Sequence, residues 1–105
     1  MAQIIWHDSA REHLRSIFDY YSNLSPQTAY NILKDILISV QHLAEFPTMG
    51  QEEPLLKLRP YKYHYIVSRK RYKTIYFIKG DECHIIAIWD TYQNPTKLQT
   101  IISEA

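Results

Sequence analysis

The sequence predicts an α+β fold: a short strand, an antiparallel helical hairpin, then a three- to four-stranded, mainly antiparallel sheet that carries the helices on one face. Three observations predict it. Apolar residues recur at spacings of three and four up to Phe46; the pattern changes to alternating and β-branched runs beyond Gly50; and turn-forming residues separate the segments. At 105 residues, 46% hydrophobic and 22% charged, the chain reads as a single folded domain over 1–105, with 94–105 as a tail.

Gln3 to Trp6 is short, apolar and β-prone, and Asp8 follows it as a helix N-cap. From Asp8 to about Tyr21, the residues Ala10, Leu14, Ile17, Phe18 and Tyr21 gather on one helical face. That turns Arg11, Glu12, Arg15 and Asp19 to water. Asn23-Leu24-Ser25-Pro26 ends this helix and starts another, because the Ser25 hydroxyl accepts from free amides of the new first turn and Pro26 has no amide to leave unpaired there. The second helix carries Ala29, Ile32, Leu33, Ile36, Leu37, Val40, Leu43 and Ala44 and stops near Phe46-Pro47. At about 20 residues it spans roughly 30 Å, enough to cover a sheet face.

Thr48 to Pro54 reads as a polar connection. Leu55 to Leu58 is a candidate short strand, Tyr61 to Val67 alternates tyrosines with Lys62, His64 and Ile66, and Tyr72 to Ile78 is rich in aromatic and β-branched residues. Lys79-Gly80-Asp81-Glu82 is a hairpin turn in which Gly80 supplies positive φ. Cys83 to Trp89 is a nearly continuous apolar run, expected of a central strand. In the tail, Asn94-Pro95-Thr96 caps a final helix with Leu98, Ile101 and Ile102 on one side.

Several function classes drop out. The lone Cys83 offers no intrachain disulfide, and no stretch has the build of a signal peptide or the roughly 20 apolar residues of a membrane span. A cytoplasmic protein without membrane attachment is the expectation. The five histidines (His7, His13, His42, His64, His84) are scattered, so neither a metal site nor any cofactor is expected. With Gly50 and Gly80 alone there is no phosphate-binding glycine loop.

One segment stands out. Between Lys57 and Lys73 lie seven cations (Lys57, Arg59, Lys62, Arg69, Lys70, Arg71 and Lys73) and no carboxylate, whereas the rest of the chain holds five cations and eleven anions. Interleaved tyrosines would stack on unpaired bases while cations contact phosphates, so the segment reads as an RNA- or target-binding surface. The plainer reading is a solvated turn beside tyrosines that pack the sheet.

The order of elements, the run Leu43-Ala44-Glu45-Phe46-Pro47-Thr48-Met49-Gly50, the block Tyr72-Lys73-Thr74-Ile75-Tyr76 and the ending Ile88-Trp89-Asp90-Thr91-Tyr92-Gln93-Asn94-Pro95-Thr96-Lys97-Leu98 together resemble the RelE/ParE toxins of bacterial type II toxin-antitoxin systems, over nearly the whole chain. The resemblance implies a toxin neutralised by a cognate antitoxin, assembled as a homodimer or a toxin-antitoxin hetero-oligomer. It implies one of two targets. RelE-like members are metal-independent nucleases of ribosome-bound mRNA; ParE-like members inhibit DNA gyrase and are not nucleases.

A nuclease needs a base, cations for the phosphorane and an acid. Lys73 stands where RelE-like members carry a catalytic arginine, Arg71 or Arg69 would hold phosphate, His64 would exchange protons, and Tyr92 would stack on a base. The paired lysines of such nucleases fall on His64 and Ile66, and relatives' Asp-Thr-Arg-Gln-Asn-Pro has Tyr92 in the arginine's place. These missing cations tilt the reading toward a ParE-like or otherwise non-nuclease toxin, with a non-toxic protein- or RNA-binding module of the same fold as a further alternative.

Overall fold

The computed structural model describes residues 1–92, so the helix expected within 94–105 lies outside the described residues. Strand β1 (Gln3–Trp6) leads directly into α1 (Asp8–Ser22), and α2 (Pro26–Glu45) packs back along it. Ser25 caps α2 as its sequence demands, its Oγ accepting from the Thr28 amide at 3.2 Å with Pro26 in the first turn. Asp8 is the first helical residue and not the cap. His7, extended at φ −81° and ψ 155°, takes the cap position without a side-chain bond to the helix's first-turn amides, and the Asp8 carboxylate sits where the helix dipole favours an anion.

The sheet has five strands in the order β1-β5-β4-β3-β2, with β2 (Gln51–Glu52), β3 (His64–Ser68), β4 (Tyr72–Lys79) and β5 (Glu82–Asp90). Only β1 runs parallel to its neighbour; every other pair is antiparallel. The apolar run 83–89 is the interior strand it was expected to be, and Gly80, at φ 62°, makes the β4–β5 turn. A bulge interrupts that pair: Ile75 faces Ala87 but Tyr76 faces Ile85, which leaves Ile86 as the extra residue.

Leu55 to Leu58 is not a strand. Residues Pro54–Leu56 form a 3-10 turn, capped by Glu53 whose Oε1 accepts from the Leu55 amide at 3.2 Å, and the strand that pairs with β3 is Gln51–Glu52. Leu55 and Leu56, adjacent in sequence, both pack on the sheet; a strand would send them to opposite sides.

The sheet buries both faces, differently. On one, Ala10, Ile32, Ile36, Val40 and Leu43 of the helices meet Ile66, Tyr72, Tyr76, Cys83, Ile85 and Ile88. Burial pushes the Cys83 thiol up to about 11, as befits an inert core residue. On the other, segment 53–63 lays Leu55, Leu56 and Tyr63 over Ile75, Phe77, Ile86, Ala87 and Trp89. The connection before it is pinned at Gly50, whose amide donates to the Tyr76 hydroxyl at 3.0 Å while that hydroxyl donates to the Pro47 carbonyl at 2.9 Å. A Cβ at Gly50 would lie 2.7 Å from the Tyr65 carbonyl oxygen, so only glycine fits. Among the described residues no helix is long and apolar enough to cross a membrane.

Candidate functional site

The basic segment folds into two parts, the loop over the sheet and the β3–β4 hairpin. At the hairpin tip Arg69 and Lys70 both have positive φ (55° and 58°), and the Arg71 amide donates to the Ser68 carbonyl at 3.1 Å. This is a two-residue turn of the mirror-image type that matches strand twist and normally takes Asn or Gly. Two long cationic side chains occupy it instead.

Most of the segment's charge is met inside the molecule. Lys73 reaches Glu53 at 2.9 Å, a carboxylate with no exposed surface, and its ammonium lies 4.2 Å from the Tyr65 ring centroid. Arg71 donates through Nε and Nη2 to the two oxygens of Asp90 at 2.9 and 2.8 Å. Its guanidinium also lies 4.2 Å from the Tyr92 ring centroid. The double hydrogen bond from Arg71 holds the Asp90 carboxyl below its ordinary range, and the same bond holds Arg71 firmly protonated. Arg69 pairs with Asp35 of α2 at 2.7 Å, and Lys62 lies 3.9 Å from Glu52. Lys57 and Lys70 are exposed with no ion-pair partner among the described residues, and Arg59 is half-buried.

The residues expected to cooperate in RNA cleavage are not gathered in one place. His64 faces the helices: it pairs with Tyr76, stacks over that ring at 5.7 Å, and its Nδ1 is buried without a hydrogen-bond partner. Lys73 pairs with Val67, one step out of phase, and so lies on the opposite face. Arg71 and Tyr92 do come together, around Asp90 at the end of the sheet. Beside them opens a groove of about 560 Å³ walled by His13, Tyr20, Tyr21, Tyr72 and Trp89.

Two acidic partners escaped the sequence reading, Glu53 and Asp90. Asp90 had a signal, since it opens the Asp90-Thr91-Tyr92 motif next to the arginine's strand. Glu53 had none, being one acid in a polar connection. A third arrangement also escaped it. The Glu82 carboxylate accepts from His84 Nε2 at 3.0 Å, and His84 Nδ1 shares a hydrogen bond with His7 Nε2 at 2.9 Å. Phe77 stacks on His84 at 4.6 Å and Tyr61 on Phe77 at 4.2 Å, so the chain of polar bonds rests on a pile of rings. Among the described residues no group of three or more His, Cys, Asp or Glu side chains is placed to hold a metal.

These features coincide with a known family. A solved structure described as the chromosomal ParDE TA system from P. aeruginosa has the same fold, with a TM-score of 0.71 at 24% identity, covering 86% of this chain and 96% of that one. No curated protein matches. The family described as ParE toxin of type II toxin-antitoxin system, parDE, matches residues 4–95. With the match spanning all but the two ends, the chain belongs to the ParE toxin family of type II toxin-antitoxin systems.

Proposed function

We propose that the protein acts in the cytoplasm by binding DNA gyrase and arresting it, is neutralised by a cognate antitoxin, and does not cut RNA. One observation carries this reading: the two cations best placed for phosphoryl chemistry, Lys73 and Arg71, are committed to Glu53 and Asp90. A guanidinium that gives two bonds to a carboxylate has to leave it before it can grip a phosphate in the same way. The separation of His64 and Lys73 on opposite faces of the sheet supports the same reading, because a proton-transfer group and a phosphate clamp must meet at one bond. Target contact falls to the solvent-facing Lys57, Lys62, Arg69 and Lys70, with Arg59 beside them.

The test is a pair of assays on the purified protein. Gyrase supercoiling should fail, with relaxed DNA accumulating, and a translating ribosome extract should show intact mRNA. Ribosome-dependent cuts that vanish in a folded Arg71→Ala variant would replace this reading with the RelE-like one. Unimpeded growth on induction without antitoxin would remove both and leave a non-toxic binding module.

A further inference from the structure

A leucine stands at the tip of the loop that covers the sheet. The Arg59 amide donates to the Leu56 carbonyl at 3.1 Å and closes a four-residue turn, with Lys57 at φ −58° and ψ −33° as in the common type I form. The turn is anchored on both sides. Leu56 and Tyr63 are buried against the sheet, and Tyr61 stacks on Phe77 at 4.2 Å. Leu58, two residues beyond the buried Leu56, is 98% exposed.

A single apolar residue in water is ordinary; its neighbours set this one apart. Lys57 precedes it, exposed and without an ion-pair partner among the described residues, and the half-buried Arg59 follows it. Lys62, exposed, ends the loop 3.9 Å from Glu52. Two other acids of this face are engaged: Glu53 is buried against Lys73, and Glu82 accepts from His84 beyond the Phe77 ring. Leu24, 70% exposed between the helices, has by contrast no charged residue within three positions on either side. An apolar tip between cations is ill suited to the middle of a protein-protein contact, where lysine is depleted and neutral residues ring the anchor. A lone leucine also buries far less than the acyl chain that by itself holds a protein only marginally on a membrane. Duplex DNA fits the composition, since cations meet phosphates while an apolar side chain enters between base pairs.

We infer that the turn at residues 56–59 is a DNA wedge: Leu58 enters between two base pairs from the minor groove and partly unstacks them, while Lys57 and Lys62 lie on flanking phosphates. This contact lies beyond the gyrase reading, which needs only a surface of the enzyme, and stands or falls apart from it. The test titrates the full chain into two duplexes that carry 2-aminopurine, one fully paired and one with a mispair beside the probe, from about 50 to 200 mM salt. Fluorescence should rise as the probe unstacks, and the mispaired duplex should bind at least about fivefold tighter because part of the unstacking is already done. Leu58→Ser should abolish both the rise and the preference at unchanged far-UV circular dichroism, since the side chain it removes lies in water. Leu58→Met, still an apolar wedge, should keep both. Lys57→Ala should weaken binding to the two duplexes alike and reduce the slope of log K against log salt by about 0.9.

No rise in fluorescence, or a rise that survives Leu58→Ser, overturns the wedge. Loss of gyrase inhibition in Leu58→Ser without any DNA signal in the parent overturns it in favour of a pocket on the enzyme. Leu58-dependent sedimentation with phosphatidylserine-phosphatidylcholine vesicles, again without a DNA signal, overturns it in favour of a membrane surface. A Leu58-dependent DNA signal from a protein that leaves gyrase active upholds the wedge and removes the gyrase reading instead.

Discussion

The two faces of the sheet are closed by different means. Helix-side cohesion is spread over many aliphatic contacts repeated along α1 and α2, no one of which decides the outcome. Segment 53–63 has only one turn of 3-10 helix to order it, and it is held by a few specific contacts: Leu56 at 1% exposure, the Tyr61–Phe77 stack and the Glu53–Lys73 pair. A distributed contact degrades gradually under substitution. A concentrated one fails at a point, and here that point is a charge.

Lys73 is therefore the position at which the comparison breaks most sharply. Removing its ammonium with Lys73→Met leaves the fully buried Glu53 carboxylate uncompensated, and loss of one partner of a buried pair typically costs about 3–5 kcal/mol. Urea denaturation should show that loss. Glu53→Gln/Lys73→Met, which removes both charges, should be more stable than the single variant, because two neutral groups bury more easily than one lone ion. A single variant as stable as the parent would mean that Lys73 is not a latch and would return it to the list of groups available for chemistry.

The same contrast explains what the sequence disclosed. The helix-covered face was legible because period-3.6 burial is written locally: Ile32, Ile36, Val40 and Leu43 announce themselves within one element, as Ser25-Pro26 announces its start. The central strand was equally plain from Cys83 to Trp89. The loop-covered face was not. Glu53 and Lys73 are 20 residues apart in sequence, and only strand register and the bend at Pro54 bring them together. A carboxylate in a polar connection is ordinarily solvated, so its burial carried no mark. Family likeness singled out the position of Lys73, yet the carboxylate that engages it depends on tertiary structure that no motif spells out.

Acid sharpens the comparison from another side, since both faces rest on neutral histidines. On the helix side His13 Nδ1 accepts from the Ile88 amide at 3.2 Å, and on the other His7 joins the bond chain to His84 and Glu82. Burial lowers the affinity of His13 for a proton, Glu12 opposing; burial and then His84 lower that of His7, Asp8 opposing. Both folded-state values thus lie below the unfolded value near 6.5, so the unfolded chain binds more protons as pH falls. Stability should be full above about pH 6.5 and decline below it. Urea midpoints between pH 8 and 5 measure this. Replacing His7 and His13 with Gln should flatten the decline; an unchanged slope would assign it to other groups.

The smallest expected effect concerns the hairpin tip, where the sequence breaks its own local rules. Arg69 and Lys70 sit at φ 55° and 58°, a region that costs a residue with a Cβ roughly 1–2 kcal/mol. Lys70→Gly removes that strain without touching an ion pair, since Lys70 has none among the described residues, whereas a change at Arg69 would also lose Asp35. Glycine gives some of the gain back through a freer unfolded chain, so the net stabilisation should be about 0.5–1 kcal/mol in a urea titration. Activity then separates two meanings of the strain. If the stabilised variant inhibits its target as strongly as the parent, the tip is a hairpin built from unsuitable residues. If it is more stable and weaker, the strained backbone is retained because it holds a cation out toward the target, and stability and potency are opposed at that one residue.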